Sequence, residues 1–132
     1  MRRKITIKEV NRPKSRKIKD EIRWVCDSLD LMKGRDIDDT SFKIICGLFR
    51  LFSENKLVST EEVSNLLHLE PYKVNHHIRR FMESGLVFRE KRKIALRGGS
   101  LSAALEELKR DSEAMFDRLL EVSKKIDKAF RL

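Results

Sequence analysis

Residues 66–87 read LLHLEPYKVNHHIRRFMESGLV, and this segment divides into a short turn, a helix and an abrupt stop. Pro71 suits the first position of a helix, where its missing amide hydrogen costs no hydrogen bond, and Glu70 stands at the capping position before it. Gly85 supplies the left-handed conformation that commonly ends a helix. The pattern therefore predicts a helix over residues 70–84.

This helix has two chemically different sides. On a helical wheel, Val74, Ile78 and Phe81 fall together and predict a side that packs into a core. The other side carries hydrogen-bonding, cationic and aromatic side chains, namely Tyr72, Lys73, His76, Arg79 and Arg80, with Asn75 at its edge. Side chains of these types reach base edges and phosphates when a helix enters the major groove of DNA. We therefore expect this polar side to contact DNA.

Individual residues on the polar side suit different contacts. Arg79 and Arg80 are expected to grip guanine or phosphate, and Asn75 to bind adenine if the helix tilts toward it. Tyr72 lies near the helix N-terminus, where it can donate to a phosphate beside the unpaired backbone amides. Charged helix faces are more often merely solvated, so DNA contact needs support from the rest of the chain.

The preceding residues predict two more helices and a short strand. Ser59 and Glu62 have the spacing of a capping box, in which each side chain accepts a hydrogen bond from the other residue's amide. Leu57-Val58 predicts a very short strand before this box. Further upstream, a buried helix that ends near Glu54 is predicted by apolar residues at helical spacing: Phe42, Ile45, Leu48, Phe49 and Phe52.

The residues after the helix predict a basic hairpin. Leu86–Arg89 and Ile94–Arg97 have the composition of two short strands around a charged turn. The residues expected to contact DNA within this wing, residues 88–97, are Arg89, Lys91, Arg92 and Lys93. Three helices followed by a basic hairpin is the order of a winged helix-turn-helix. The expected fold class is therefore mainly α with a small β-hairpin wing (α+β).

Positive charge is concentrated in two segments of the chain, which has 30 basic and 21 acidic residues. Residues 1–23 carry ten Lys or Arg against three Asp or Glu, and residues 70–99 carry eight against three. Residues 24–69 are net acidic, and residues 100–132 are balanced. Two separate basic segments favour a polyanionic partner, here double-stranded DNA, over a charge that only maintains solubility.

The segment from Leu67 to Val87 resembles the recognition segment of ArsR- and MarR-like winged-helix transcription regulators. In that family the turn is Leu-x-Leu-Ser-x-x-x-Val and the helix ends in Gly-Leu-Val; the matching residues here read LHLEPYKV and GLV. The resemblance covers about residues 40–97. It implies a homodimeric transcription regulator with residues 72–80 in the major groove and the wing on the backbone or in the minor groove. Two departures are His68, where glycine is frequent, and the short wing.

Residues 1–34 predict a basic arm followed by a helix. Ile5 and Ile7 alternate with other residues, which predicts either an edge strand or a mobile arm. A helix is expected from Pro13 to about Met32, ended by Lys33-Gly34. Its narrow apolar stripe, suited to packing on another helix, consists of Ile18, Ile22, Val25, Leu29 and Met32.

Residues 98–132 predict one long helix that begins at Ser100 and reaches nearly to Leu132. Its apolar or small positions alternate by four and three: Leu101, Leu105, Leu108, Ser112, Met115, Leu119, Val122, Ile126 and Ala129. A helix this long cannot bury such a stripe against a small domain over its whole length. Phe116 and Phe130 widen the stripe, which favours an antiparallel or multi-helix interface.

We expect this interface to form a homodimer through residues 16–32 and 101–130. The domain organisation predicted from these patterns is a basic arm and N-terminal helix at residues 1–34, a winged helix-turn-helix at residues 35–97, and a long dimerisation helix at residues 98–132.

The sequence contains no pattern typical of an enzyme, a metal site or a cofactor site. Gly98-Gly99 lacks the following Lys-Ser/Thr of a phosphate-binding loop. His76 and His77 are adjacent on a helix and cannot face one ion together, and His77 is expected to be packed and hydrogen-bonded at the edge of the core. Cys26 and Cys46 form no CxxC pair and predict buried free thiols.

No secretory signal or membrane span is recognisable, so we expect a cytoplasmic protein without membrane association. The absence of glutamine and the frequent Lys, Arg and Glu are typical of thermophilic proteins, and a biased genome would give the same composition.

These patterns favour a sequence-specific DNA-binding transcription regulator that acts as a homodimer. In this interpretation the recognition helix, residues 70–84, lies in the major groove and the wing, residues 88–97, lies on the backbone. Two alternatives remain open. One is a winged-helix module that binds another protein, because fold does not fix function. The other is a chromatin protein that binds nucleic acid without sequence preference.

Overall fold

The computed structural model describes residues 3–32 and 39–132. Within these ranges the chain is mainly helical with a small antiparallel sheet, which confirms the expected α+β class. The helices are α1 (Ile18–Ser28), α2 (Thr40–Phe52), α3 (Thr60–Leu67), α4 (Pro71–Ser84) and α5 (Leu101–Phe130), and the strands are β1 (Leu57–Val58), β2 (Val87–Glu90) and β3 (Lys93–Leu96). A single 3-10 turn, Arg97–Gly99, joins β3 to α5.

The three strands form a sheet in the order β1-β3-β2, and both pairings are antiparallel. Ile94 of the central strand lies opposite Val58 on one side and Arg89 on the other. Both Ile94 and Val58 are fully buried, so the sheet covers one side of the helical core. The predicted short strand at Leu57-Val58 is therefore confirmed, and it ties the segment before α3 to the hairpin.

The core lies between α2, α3, α4 and the sheet. Val74, Ile78 and Phe81, the predicted packing side of α4, have no exposed surface. Other side chains without exposed surface are Ile44, Ile45, Leu48, Val58, Val63, Ile94 and Ala104. Burying a side chain of this size stabilises the fold by about 1.5–3 kcal/mol, so this cluster holds the back of α4 firmly in place.

Local signals set the ends of α3 and α4. The predicted capping box is confirmed, because the Ser59 hydroxyl accepts from the Glu62 amide at 3.0 Å and Glu62 accepts from the Ser59 amide at 3.2 Å. Gly85 ends α4 with φ 88°, and a Cβ there would lie 2.7 Å from a Leu108 methyl group. His68 adopts the left-handed conformation in the turn, with φ 54°. Glu70 precedes Pro71 without making a side-chain cap.

The hairpin strands begin and end one residue away from the predicted positions. The predicted strands were Leu86–Arg89 and Ile94–Arg97, but β2 spans Val87–Glu90 and β3 spans Lys93–Leu96. The difference arises because the Leu86 amide closes α4 by donating to the Phe81 carbonyl at 3.1 Å.

The prediction of a helix from Pro13 to about Met32 is wrong in both boundaries. Helix α1 spans only Ile18–Ser28, and residues 13–17 are not helical. The helix ends early because Asp30 turns left-handed and the Leu31 amide donates to the Cys26 carbonyl at 2.9 Å. The predicted helix end at Lys33-Gly34 lies outside the described residues.

Most of the α1 stripe packs inside the same chain. Ile22, Leu29 and Met32 lie against the buried core. Ile18, at the first turn, is 69% exposed. We expected this stripe to contribute to an interface between two copies of the chain. Most of it instead packs against the core of its own chain.

Residues 3–17 form an extended segment, here called the N-terminal strap, that lies along the helical body. The Lys4 amide donates to the Glu83 carbonyl at 2.9 Å, and the Lys8 amide donates to the Ser28 carbonyl at 2.7 Å. The Trp24 indole donates to the Val10 carbonyl at 2.8 Å. The strap contains no strand, so the alternative of an edge strand at Ile5 and Ile7 is not observed.

Helix α5 leaves the body about halfway along its length. Ala104 and Leu108, near its start, are buried. Asp111 accepts hydrogen bonds from Arg3 of the strap and, at 2.6 Å, from Arg97. Beyond residue 115 every residue is exposed. No helix within the described residues is both long enough and apolar enough to span a membrane.

Candidate nucleic-acid interface

The outer side of α4 presents polar side chains to solvent. Tyr72 is 67% exposed, and Lys73, His76 and Arg79 are also exposed. The burial of Val74 on the other side of the helix fixes the direction in which these side chains point. The structure therefore brings four of the six candidate residues on α4 to one accessible surface.

The turn of the β2–β3 hairpin forms a second exposed basic surface. Lys91 and Arg92 form a two-residue turn in which both residues have positive φ, 50° and 67°. Lys93 follows at the start of β3, and all three side chains are exposed. Positive φ at both positions matches the twist of a two-residue hairpin, although Asn and Gly adopt it at lower cost than Lys and Arg.

Asn75 and Arg89 are half-buried and bonded to each other. An Arg89 nitrogen donates to Asn75 Oδ1 at 2.7 Å, and the Thr60 hydroxyl donates to the same oxygen at 2.8 Å. Arg89 also donates to Thr60 Oγ1 at 3.2 Å and to the Arg92 carbonyl at 3.0 Å. This cluster of Thr60, Asn75 and Arg89, here called the hairpin node, joins α3, α4 and the hairpin.

Arg80 lies on a different side of α4 from Arg79. It is half-buried and lines a cavity of about 70 Å³ together with Asp30, Glu83 and residues of the N-terminal strap. Arg79, by contrast, is exposed. The helical wheel placed both arginines on the polar side because it considers α4 alone. In the fold, the N-terminal strap lies beside the edge of α4 that carries Arg80.

His77 is packed as predicted. Its Nδ1 lies 2.8 Å from the hydroxyl of Ser41, which is fully buried in α2. The rings of His76 and His77 meet edge to face, with centroids 5.4 Å apart. Among the residues that the structure describes, no three His, Cys, Asp or Glu side chains form a group that could hold a metal ion.

The cations of the two exposed surfaces have no carboxylate partner among the described residues. No ion pair involves Lys73, Arg79, Lys91, Arg92 or Lys93 in the part of the chain that the structure describes. Arg97, at the base of the hairpin, is instead bonded to Asp111 and lies 2.9 Å from Glu107. The hydrogen bond that Arg97 donates to Asp111 raises the pKa of Arg97 and lowers the pKa of Asp111.

Both cysteines are free thiols, and neither belongs to these two surfaces: Cys26 is in the core, and Cys46 lines a groove beside Phe42 and Leu67. Cys26 is buried as predicted, and this burial raises the pKa of its thiol to about 12. Cys46 is only half-buried, and desolvation raises the pKa of its thiol as well. A raised pKa keeps both thiols protonated and weakly nucleophilic at neutral pH.

Thr60 is the residue of this region that the sequence did not suggest. Its residue type and its place beside the capping box gave it no role beyond the first turn of α3. Its contact with Asn75 depends on how α3 packs against α4, which no local pattern reports. No family model, curated protein or solved structure matches this chain.

Proposed function

We propose that the protein is a sequence-specific, double-stranded-DNA-binding transcription regulator that acts as a homodimer. The observation that carries this proposal is the exposed polar side of α4, whose Lys73 and Arg79 have no carboxylate partner in the described residues, beside the basic hairpin turn. Helix α4 would enter the major groove, and the hairpin at residues 88–97 would contact the backbone.

The order of elements supports a winged helix-turn-helix. Helix α2 is followed by β1, α3, a three-residue turn, α4 and the β2–β3 hairpin. Helices α3 and α4 pack on each other and on α2, so that only one side of α4 is left for a ligand. In this arrangement the second helix of the pair is the one that DNA-binding proteins insert into the major groove.

Unpaired cations are suited to phosphates. A cation that binds a phosphate releases condensed counterions from the DNA, which favours binding at low salt. A cation already neutralised by a carboxylate would have to give up that partner first. Lys91 and Lys93, without such partners in the described residues, are therefore better placed for backbone contacts than Arg97.

The distal part of α5, residues 116–130, supports self-association. Phe116 is 64% and Leu119 61% exposed, and the same helix face is buried against the body nearer its start at Leu108. Other large apolar side chains about half exposed or more on this part are Leu120, Val122, Ile126 and Phe130. A stable interface buries roughly 800 Å² per partner, and side chains of this size supply an area of that order. The predicted interface included residues 16–32 and 101–130. Because the apolar side chains of α1 pack mainly on the core of their own chain, we now propose an interface through residues 116–130 alone.

Selection of bound sequences from random duplex DNA tests the DNA-binding part of the proposal. We expect an enriched site that is an inverted repeat, with half-sites about one helical turn, roughly 34–36 Å, apart. Binding without enrichment would support the alternative of a chromatin protein without sequence preference. Failure to bind any duplex at low salt would refute DNA binding.

Light scattering of the purified protein tests the dimer. We expect twice the mass of the chain for the unmodified protein, and a monomer for Leu119→Asp combined with Ile126→Asp, because two buried carboxylates would disrupt the apolar face. Lys128→Asp, on the opposite side of the same helix, is the matched control and should remain dimeric. A monomeric unmodified protein would overturn the homodimer and favour the alternative of a module that binds another protein through α5.

A further inference from the structure

We infer that Asn75 and Arg89 are positioning residues that hold the hairpin against α4, and that neither binds a base directly. Both were candidates for DNA contact. This inference rests on the proposed function, because the hairpin and α4 matter together only if they share one ligand. It is carried by the hydrogen bonds of the hairpin node, which engage the same groups that base recognition would need.

The orientation of the Asn75 amide is fixed by its neighbour. A guanidinium can only donate hydrogen bonds, so the Asn75 atom 2.7 Å from Arg89 must be the oxygen. That oxygen has two lone pairs, and it accepts from both Arg89 and Thr60. Reading adenine requires an asparagine to accept from the adenine amino group with this same oxygen. Asn75 can bind adenine in that way only by leaving the hairpin node.

Arg89 is held from three elements at once. It donates to Thr60 at the start of α3, to Asn75 on α4 and to the Arg92 carbonyl in the hairpin turn. All three acceptors are uncharged, whereas Arg23 and Arg97 are bonded to carboxylates. Arg89 therefore keeps its full positive charge between the two proposed contact surfaces while its side chain is fixed in place.

The bond to the Arg92 carbonyl has a mechanical consequence. The turn residues Lys91 and Arg92 are joined to the sheet only through the short strands β2 and β3. Strand β1 supports β3 only at Ile94 and Ala95, so the end of the hairpin beside the turn is two-stranded, and a two-stranded ribbon is weak by itself. By bonding the turn to α3 and α4, Arg89 sets the distance between the hairpin cations and the outer side of α4.

Hydrogen exchange of the backbone amides at residues 89–94, without DNA, tests the positioning directly. Thr60 is only 6% exposed and cannot reach DNA, so Thr60→Val removes a hydroxyl of the node without touching the ligand. We expect exchange at these amides to rise about tenfold in Thr60→Val and in Arg89→Lys, as for the loss of one net hydrogen bond. Thr60→Ser keeps the hydroxyl and should exchange like the unmodified protein.

Asn75→Asp separates positioning from base reading. The carboxylate still accepts from Thr60 and Arg89, so hairpin exchange should stay slow. It cannot donate to adenine, so a base-reading Asn75 would lose adenine preference at one position of the selected site. We expect the selected sequence to stay the same, with affinity lower by a similar factor for all duplexes because a negative charge has been added.

Two results would overturn the inference. One is unchanged hairpin exchange in Thr60→Val. The other is loss of preference at a single base in Asn75→Asp while its hairpin exchange stays slow. If no duplex binds the unmodified protein but exchange responds as expected, the proposed function fails and the role of the hairpin node in holding the hairpin stands.

Discussion

Residues 1–23 and residues 70–99 are both strongly basic, with ten cationic against three acidic side chains in the first segment and eight against three in the second. Their cations nevertheless have different surroundings. In the described part of the first segment, three cations, Arg3, Lys8 and Arg23, are paired with carboxylates of other elements, and exposed lysines such as Lys14 and Lys17 are not. In the second, the cations on the outer side of α4 and on the hairpin turn have no such partner among the described residues.

The paired cations of the first segment hold the chain together. Lys8 lies 3.0 Å from Asp30, and the Arg23 guanidinium stacks 4.0 Å from the centre of the Phe42 ring while bonding Asp39. The hydrogen bond that Arg23 donates to Asp39 raises the pKa of Arg23. The net charge of a segment therefore does not by itself locate the proposed DNA-contacting surface. What matters is which cations remain without a carboxylate and also lie beside the exposed polar side of α4.

The strongest test of this difference removes one arginine from each segment and compares the resulting losses of DNA affinity. We expect Arg79→Ala to lower affinity for the selected duplex by roughly 5–150-fold, as for a lost base contact worth about 1–3 kcal/mol. Arg23→Ala should leave affinity nearly unchanged and lower stability by about 1 kcal/mol, from the lost stacking and ion pair. Fluorescence anisotropy with labelled duplex and chemical denaturation measure the two quantities. Equal affinity losses would contradict the comparison.

The salt dependence of binding gives the next largest contrast. Removing two of the proposed phosphate contacts with Lys91→Ala and Lys93→Ala should reduce the slope of log affinity against log salt by about 2. The matched pair Arg3→Ala and Lys8→Ala, on the N-terminal strap, removes two cations that are already paired with Asp111 and Asp30, and it should change the slope much less. A larger change for the strap pair would place the main phosphate contacts on the strap instead of the hairpin.

Arg92→Gly should separate stability from binding at a single position. Arg92 has φ 67°, a conformation that costs a residue with a Cβ about 1 kcal/mol or more. Glycine relieves this strain, so we expect the free energy of unfolding to rise by roughly 0.5 kcal/mol after its larger entropy loss. The salt slope should fall by about 1 because one cation is lost. Loss of stability would contradict the described turn.

The smallest effect is expected at Asp111, the acceptor for Arg3 and Arg97. The hydrogen bond from Arg97 lowers the pKa of Asp111 below its ordinary value of 3.8 in the folded state. Its stabilising contribution is therefore present above pH 3.8 and is lost as the pH falls below it. Asp111→Asn should flatten this acid limb in thermal unfolding curves, with little effect at neutral pH on DNA affinity. A melting temperature that falls more steeply with decreasing pH in Asp111→Asn than in the unmodified protein would contradict this prediction.

Local patterns predicted much of the helical frame. The packing side of α4, the capping box at Ser59 and the helix end at Gly85 follow from the periodicity of side chains and from backbone preferences within a few residues. The end of α1 was missed because Asp30, not a glycine, adopts the left-handed conformation there. A propensity argument favours glycine at such a position, whereas the bonds of Leu31 and Lys8 select Asp30.

The sequence predicted most of the residues on the outer side of α4, but it did not predict which groups the other polar side chains contact. The wheel placed Tyr72, Lys73, His76 and Arg79 correctly on an outer side, because burial of one side of a helix exposes the other. It could not show that Arg80 faces the strap or that Asn75 bonds Arg89, because those neighbours lie far away along the chain.

The sequence by itself determined α4, the presence of the hairpin and which side of α4 is buried, since these follow from interactions between residues close together in the chain. Only the tertiary structure decided how the polar residues are used. Asn75 and Arg89 join three elements, α1 packs on its own domain, and α5 extends an uncovered apolar face into solvent. The physical reason is that hydrogen bonds and ion pairs form between groups that packing brings within about 3 Å, whatever their separation in sequence.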